Sequence, residues 1–314
     1  MSLPKVCHAL ADLGSLNLPV HLAIGMFDGV HKGHARVLAS SMDSAREDES
    51  MAVVLSFPNH PSRLLRPESP IPLLMSPEAK TSALLAIGLD HVVLQPFDIP
   101  FSQIEASAFV THLQNDLPVL ESVSVGGDFH FGRGREGDSD ALVALASELG
   151  VEVHVVPPVR YLDEPISSSR IRESLAQGEI TLVNDMLGRR YEASGTIQSG
   201  DGRGEELGFP TLNLPWNPEA KPCFGVYAVE LTHARSESSF PGVANYGVRP
   251  TFDQAEESPL LETHLFDRTQ LKPGDFIRVS FVSFLREEHK FDSVEELKKQ
   301  IAQDKETARL DLSL

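Results

Sequence analysis

The chain has few cysteines, few cations and no long apolar run. Among 314 residues there are two cysteines, Cys7 and Cys223, far apart in sequence, so no disulfide framework is expected and a reducing compartment fits. Lysine and arginine number 27 against 45 aspartates and glutamates, a formal net charge of −18. Such a field repels phosphodiester backbones and anionic headgroups, so neither nucleic acid nor a membrane is an expected partner. No apolar stretch approaches the roughly 20 residues of a bilayer span. The opening "MSLPKVCHALADLG" lacks both a basic start and a long apolar segment, so a soluble, cytoplasmic protein is expected. A G-x-x-x-x-G-K-[ST] phosphate loop is missing too. Any polyanion must therefore be gripped locally, by helix-end amides, a few arginines or a bound cation.

What is present has two textures, and the length suggests roughly two domains. From residue 20 to about 185, short β-rich runs ("VHLAI", "MAVVLSF", "LDHVVLQ", "VSVGG", "VEVHVVP") alternate with helical stretches. That alternation predicts an α/β, doubly wound parallel sheet of Rossmann-like type. "EAKTSALLAIG" reads as a helix capped by Gly88, and "SSSRIRESLAQGEI" as a helix ending at Gly178. From about 190 the runs "YEASGTIQ", "GVYAVELT", "GVANYGV", "LLETHLF" and "FIRVSFVSFL" predict a small antiparallel β-barrel or sandwich. "SVEELKKQIAQDKETARL" predicts a closing amphipathic helix with Ser293 as N-cap and Glu296 three residues on. The expected domains are 1–185 and 186–314.

"AIGMFDGVHKGHARVL" places His31 and His34 in the turn between the first strand and the first long helix. Ligands of open α/β sheets bind at the carboxyl ends of strands, and a helix N-terminus there offers amides to phosphate. Gly25, Gly29 and Gly33 permit close approach, and imidazoles can donate to phosphate oxygens. Phosphate contact ranks ahead of metal ligation, for which His60 is the only obvious third ligand; a packed core ranks last. Ser167, Ser168 and Ser169 before "RIRESLAQG" offer hydroxyls and amides to an anion, with Arg170 and Arg172 adding charge, against the plainer reading of a serine cap with surface arginines. Gly132, Gly134 and Gly137 have G-x-G-x-x-G spacing but sit in a late charged loop, not in a first strand-to-helix turn, so a dinucleotide fingerprint is rejected.

The second half opens with "SGDGRGEELGFPTLNL". Thr211 and Asn213 lie two apart, a hydroxyl and an amide oxygen on one face of a strand. They can hold Mg²⁺ against nucleotide phosphates; a solvated strand face is the alternative.

These strings together resemble the bifunctional riboflavin kinase/FAD synthetase family. H-x-G-H, "GGDFHFGRGREGD" and "ISSSRIRESLAQGEI" are similar to its N-terminal adenylyltransferase motifs. "GDGRG…GFPTLN" and "LLETHLFD" are similar to its flavokinase motifs, and the resemblance covers nearly the entire chain. It implies nucleotide contacts from Gly25, Phe27, Asp28, Gly29, Gly33, Ser167, Ser168, Ser169, Arg170, Arg172, Gly200, Gly202 and Gly208, with His31 and His34 in the adenylyl-transfer step. It implies Glu262 as general base in the kinase step and Thr211 and Asn213 on Mg²⁺. The glycine-rich stretch would be a mobile loop over flavin or nucleotide, with Asp128 and Arg133 as contacts, or else a plain solvent loop. The implied reactions convert riboflavin to FMN and FMN to FAD with ATP. In the second half Glu205, Glu206 and Leu212 depart from the family pattern, and in the first half Met26, Asn59 and His130 do. Those in the first half keep open a flavokinase with a silent adenylyltransferase half; a non-catalytic flavin-binding protein is the other rival. An oligomer is left open.

Overall fold

The computed structural model of the chain describes residues 5–200, 204, 208–248 and 259–313. Contacts gather the chain into two compact units, Met1–Ser168 and Ser169–Leu314.

The first unit is built on six parallel strands: β1 (Val6–Cys7), β2 (Val20–Ile24), β3 (Met51–Ser56), β4 (His91–Leu94), β5 (Leu120–Gly126) and β6 (Glu152–Val156). Their order is β1-β4-β3-β2-β5-β6. Every residue of β2 and β4 is buried, as expected of parallel strands covered on both faces. Alternate side chains separate into two layers. Leu22, Ile24, Val53, Leu55, Val123 and Val125 join one apolar cluster with the helix α5 (Ala106–Asp116) and with Leu142 and Ala146 of α6 (Ser139–Glu148). Ala23, Ala52, Val54 and Val92 join the other, with Leu38 and Met42 of α1 (Lys32–Glu47) and Leu84 of α3 (Pro77–Ile87). Two short helices, α2 (Ser62–Leu65) and α4 (Ile99–Ser102), lie in the connections after β3 and β4. The chain winds outward from β2 through β3 to β4, then returns to place β5 on the opposite flank of β2. The winding therefore reverses beside β2, the place where open α/β sheets leave a crevice. Gly88 caps α3 in the left-handed conformation, φ 102°. The edge strand β1 pairs with β4; at two residues it is too short to leave a periodic signal.

A small hairpin, β7 (Arg160–Tyr161) and β8 (Glu164–Pro165), precedes α7 (Ser168–Ala176) and α8 (Ile180–Leu187). The break between these helices is at Gly178, φ 77°.

The second unit is an antiparallel sheet of β9 (Tyr191–Thr196), β10 (Leu212–Pro215), β11 (Gly225–His233), β12 (Ser239–Val248), β13 (Pro259–Leu265) and β14 (Phe276–Glu287), in the order β10-β13-β12-β11-β14-β9. The sheet curls into a half-barrel. Past the end of β9, the Gln198 amide donates to the Asn213 carbonyl at 2.9 Å, an isolated bridge to β10 at the far side of the sheet. Tyr227, Tyr246, Leu261 and Phe281 are wholly buried, and Trp216 packs on Tyr191, Tyr246 and Phe281. The expected closing helix is α9 (Val294–Asp311): Ser293 caps it through the Glu296 amide, and Ala308 is buried.

One ion pair ties α9 to the sheet. Arg286 of β14 donates through Nε (3.0 and 3.1 Å) and Nη2 (2.8 Å) to the Asp304 carboxylate, which also accepts from Gln300 at 2.8 Å. Asp304 is 5 % exposed. Removing one member of such a pair strands the other charge in a partly buried setting. Asp304→Ala is expected to cost the second unit about 3 kcal/mol, read as a lower denaturant midpoint in the fluorescence of Trp216, the single tryptophan.

Candidate functional site

The turn after β2 is tightly determined. Phe27 and Val30 have positive φ, 47° and 41°, and for a β-branched valine this is a strained conformation, costing on the order of 1–3 kcal/mol. It persists because the turn is over-determined: the Val30 amide donates to Phe27 O at 3.2 Å, and Phe27 and Val30 are buried. The Asp28 carboxylate, 1 % exposed, accepts the Leu74 amide at 2.9 Å. Asp28 thus anchors the stretch leading to α3. Gly25 follows β2 directly, with its amide on Leu55 O, and Gly29 lies in the turn with φ 83°.

His31 is the N-cap of α1, its Nδ1 accepting from the His34 amide at 3.2 Å. That bond selects the tautomer with the ring proton on Nε2. The His31 and His34 rings stack 3.5 Å apart at 16°, and Phe27 meets His34 edge-on at 5.3 Å. A Cβ on Gly33 would lie 3.0 Å from His31 Cε1, so the glycine between the histidines is the space that the first ring occupies. Burial holds the His34 pKa well below its usual value, with the charges of His31 and then Lys80 acting in the same direction. His34 Nδ1 is buried and has no partner among the described residues. His60, the third candidate ligand, instead engages Ser62 at 2.9 Å. Among the described residues no three His, Cys, Asp or Glu side chains gather to hold a metal ion.

Of the serine group, Ser168 opens α7 and donates through Oγ to Asp28 O at 2.9 Å, tying that helix start to the histidine turn. Ser167 precedes it, and Ser169, Arg170 and Arg172 follow within α7. The glycine-rich stretch after β5 is more firmly held than a free lid. Phe131 and Gly137 exchange two backbone hydrogen bonds of 3.0 Å, and Phe131 is buried in the core. The Arg133 amide donates to Ile104 O at 2.7 Å, and its guanidinium pairs with Glu105 at 3.2 Å. Asp128 is exposed, its carbonyl oxygen accepting from His130 Nδ1 at 2.9 Å.

In the second unit, register builds the site. Asn213 of β10 stands opposite Glu262 of β13, which stands opposite Asn245 of β12, so three polar side chains form one row on one face. Asn245 donates to Glu288 Oε1 at 2.7 Å. Asn213 is 6 % exposed, and a Cβ on Gly200 would fall 2.0 Å from its Nδ2; only glycine there lets the amide in. Thr211 is half-buried just before β10, and Gly208 has φ 87°. Gly202 lies outside the described residues.

Sequence reasoning missed three participants. Lys80 of α3 is 1 % exposed and donates through Nζ to Met26 O at 3.1 Å and to Phe57 O; its signal was a lysine four residues before Leu84, on the apolar face of its helix. Asn245 had no local signal, because only strand register places it beside Glu262. His264, two residues after Glu262 on the same face, is held at Nδ1 by Pro210 O at 2.9 Å. Burial lowers its pKa, with Lys305 assisting and the Pro210 hydrogen bond opposing.

A Ser–His–Asp arrangement elsewhere is not a competing site. His21 meets Ser122 Oγ at 2.7 Å and Asp48 at 3.0 Å, but these lie toward the amino ends of β2 and β5, and Ser122 is 1 % exposed, sealed from any substrate.

Comparison with known proteins shows which families the two halves of the chain match. A family model described as FAD synthetase matches residues 15–170, and one described as riboflavin kinase matches residues 187–312. Proteins named bifunctional riboflavin kinase/FMN adenylyltransferase are similar along most of their length. The one from Escherichia coli K12 is 35 % identical over 92 % of this chain and 91 % of its own. That from Haemophilus influenzae is 36 % identical over 92 % of each, and that from Bacillus subtilis 33 % identical over 91 % and 90 %. A crystal structure titled as a macrolide-efflux protein from Streptococcus pneumoniae superposes with a TM-score of 0.88 at 27 % identity, covering 98 % of this chain and 99 % of that one. Among the described residues no helix is long and apolar enough to cross a membrane.

The burial of His34 makes a direct prediction. Because its folded pKa lies well below 6.5, the imidazole stays neutral as pH falls from 8 to 6. Its ring resonances in a histidine-selective NMR titration should not move over that range, while those of exposed histidines do; a midpoint at or above 6.5 would contradict this environment.

Proposed function

The chain belongs to the bifunctional riboflavin kinase/FMN adenylyltransferase family, and we propose that its two reactions are divided between the two polar sites, riboflavin phosphorylation at the Glu262 row and FMN adenylylation at the His31–His34 turn. The observation that carries the division is that the His31–His34 turn and the Glu262 row lie against different sheets in different compact units. We assign residues 1–185 to adenylyl transfer and 186–314 to the kinase.

In the kinase step, the Glu262 carboxylate takes the proton of the ribityl 5′-hydroxyl as that oxygen attacks the γ-phosphorus of ATP, giving FMN and ADP. Asn213 and Asn245 flank Glu262 in the row and restrict its orientation. Thr211 and Asn213 supply hard oxygen donors, and the close seating of Asn213 on Gly200 fixes one of them, so this pair suits Mg²⁺. When bound there, Mg²⁺ offsets charge on the nucleotide phosphates. Gly200 and Gly208 bring backbone close to the same phosphates, and the family motif assigns Gly202 to the same group.

In the adenylylation step, the FMN phosphate attacks the α-phosphorus of a second ATP and pyrophosphate leaves. The attacking oxygen is already anionic and needs no base, so catalysis is positioning and charge stabilisation. The start of α1 offers amides and the His31 Nε2 proton to the polyphosphate, while His34, kept neutral, can donate a hydrogen bond without surrendering charge. Gly25, Phe27, Asp28, Gly29 and Gly33 shape that turn; Ser167, Ser168 and Ser169 with Arg170 and Arg172 receive the departing pyrophosphate, and Asp128 and Arg133 face the flavin. At Met26 the main-chain carbonyl accepts from Ser56 Oγ at 2.9 Å and from Lys80, contacts that do not depend on which side chain stands there. The charge of −18 accords with a cytoplasmic enzyme that does not bind nucleic acid.

Purified chain supplied with Mg-ATP and either riboflavin or FMN, with the flavins separated, tests the division. Glu262→Gln should lower FMN formation by about 10²-fold or more and leave FAD formation from supplied FMN unchanged, and His34→Ala should do the reverse. Equal loss of both activities in either variant would refute two separate sites.

A further inference from the structure

We infer that Lys80 is a positioning residue for adenylyl transfer: its buried ammonium joins the backbone that follows β2 to the backbone that follows β3, and places a fixed positive charge beneath the His31–His34 turn. The inference rests on the assignment of that turn to adenylyl transfer.

Three observations converge on it. Lys80 is almost wholly inaccessible, yet its Nζ is spent on two main-chain carbonyls, Met26 O and Phe57 O, each just past the carboxyl end of a central strand. Burying an ammonium is costly, and well-packed apolar residues can often replace buried charges without loss of stability; a strut alone needs no cation. The charge also reaches the reacting groups, since Lys80 contributes to keeping His34 neutral. In an acidic chain, a cation under the crevice is one of the few local sources of the potential that a polyphosphate requires.

The titratable groups that act on it are few. Asp28 from the turn favours its charged form, and His34 from α1 is electrostatically coupled to it. The strands behind α3 present Val54, Val92 and Leu94 in the same apolar cluster, with His91 on the alternate face of β4. Burial lowers the Lys80 pKa to about 8, so the ammonium is charged at neutral pH and lost as pH rises through that value.

The test uses the full chain, FMN and Mg-ATP, with the flavokinase reaction as the control in the other unit. Wild-type FAD formation should fall as pH rises through about 8, a limb absent from FMN formation. Lys80→Met should reduce kcat/KM for FAD formation by roughly 10- to 100-fold, abolish that alkaline limb in the residual activity, and leave FMN formation unchanged. Lys80→Arg, charged at every accessible pH, should shift the limb upward wherever it retains activity. Lys80→Met with unaltered FAD formation, or with reduced activity that keeps the same limb, would overturn the inference. Should Lys80→Met fail to fold, a wild-type profile flat from pH 7 to 9 overturns it independently. His34→Ala, run alongside, separates the premises: if it leaves FAD formation intact, the site assignment fails; if it abolishes FAD formation while Lys80→Met is silent, only the role of Lys80 fails.

Discussion

An acidic chain that handles polyphosphates must make positive potential locally, and this constraint organises both units. With a net charge of −18, long-range steering works against an anionic substrate. The first unit answers with geometry: a helix start beside the strand where winding reverses, a histidine as N-cap, and a lysine folded underneath. The second sets Asn213, Glu262 and Asn245 in one row across three strands, with side-chain oxygens of the kind that hard cations prefer.

The two sites are also fixed by different means. The first depends on covalent neighbours: His31 and His34 meet because a helix brings residues three apart together, and Gly33 leaves room for the ring. The second depends on strand register, which sets residues remote in sequence directly opposite one another. A one-residue slip in β13 would turn Glu262 to the other face and destroy the row, whereas the histidine pair would survive any change in sheet register.

That difference explains what could be read from sequence. The central strands, the turn holding His31 and His34, and the capped helices α3 and α9 rest on local periodicity and local caps, and all were legible. So was the antiparallel character of the second half. Edge strand β1 was not, because two residues carry no period, and neither was the short α8, which starts without a side-chain cap. Lys80 was hidden by its apparent ordinariness: a lysine in a helix normally points to water, and only the packed structure shows it turned inward. Asn245 and His264 gain their places solely from pairing across β12, β13 and the loop before β10.

The isolated bridge between Gln198 and Asn213 gives the second site a thermodynamic consequence. Asn213 does two things with separate groups: its carbonyl accepts the Gln198 amide across the seam between the ends of the sheet, and its side chain nests against Gly200. Whatever engages that side chain also steadies the backbone bridge between β10 and the segment leaving β9. Occupancy and seam closure are then linked equilibria, so that any ligand engaging Asn213 would draw on the same free energy that keeps two edge strands from presenting open backbone to other chains.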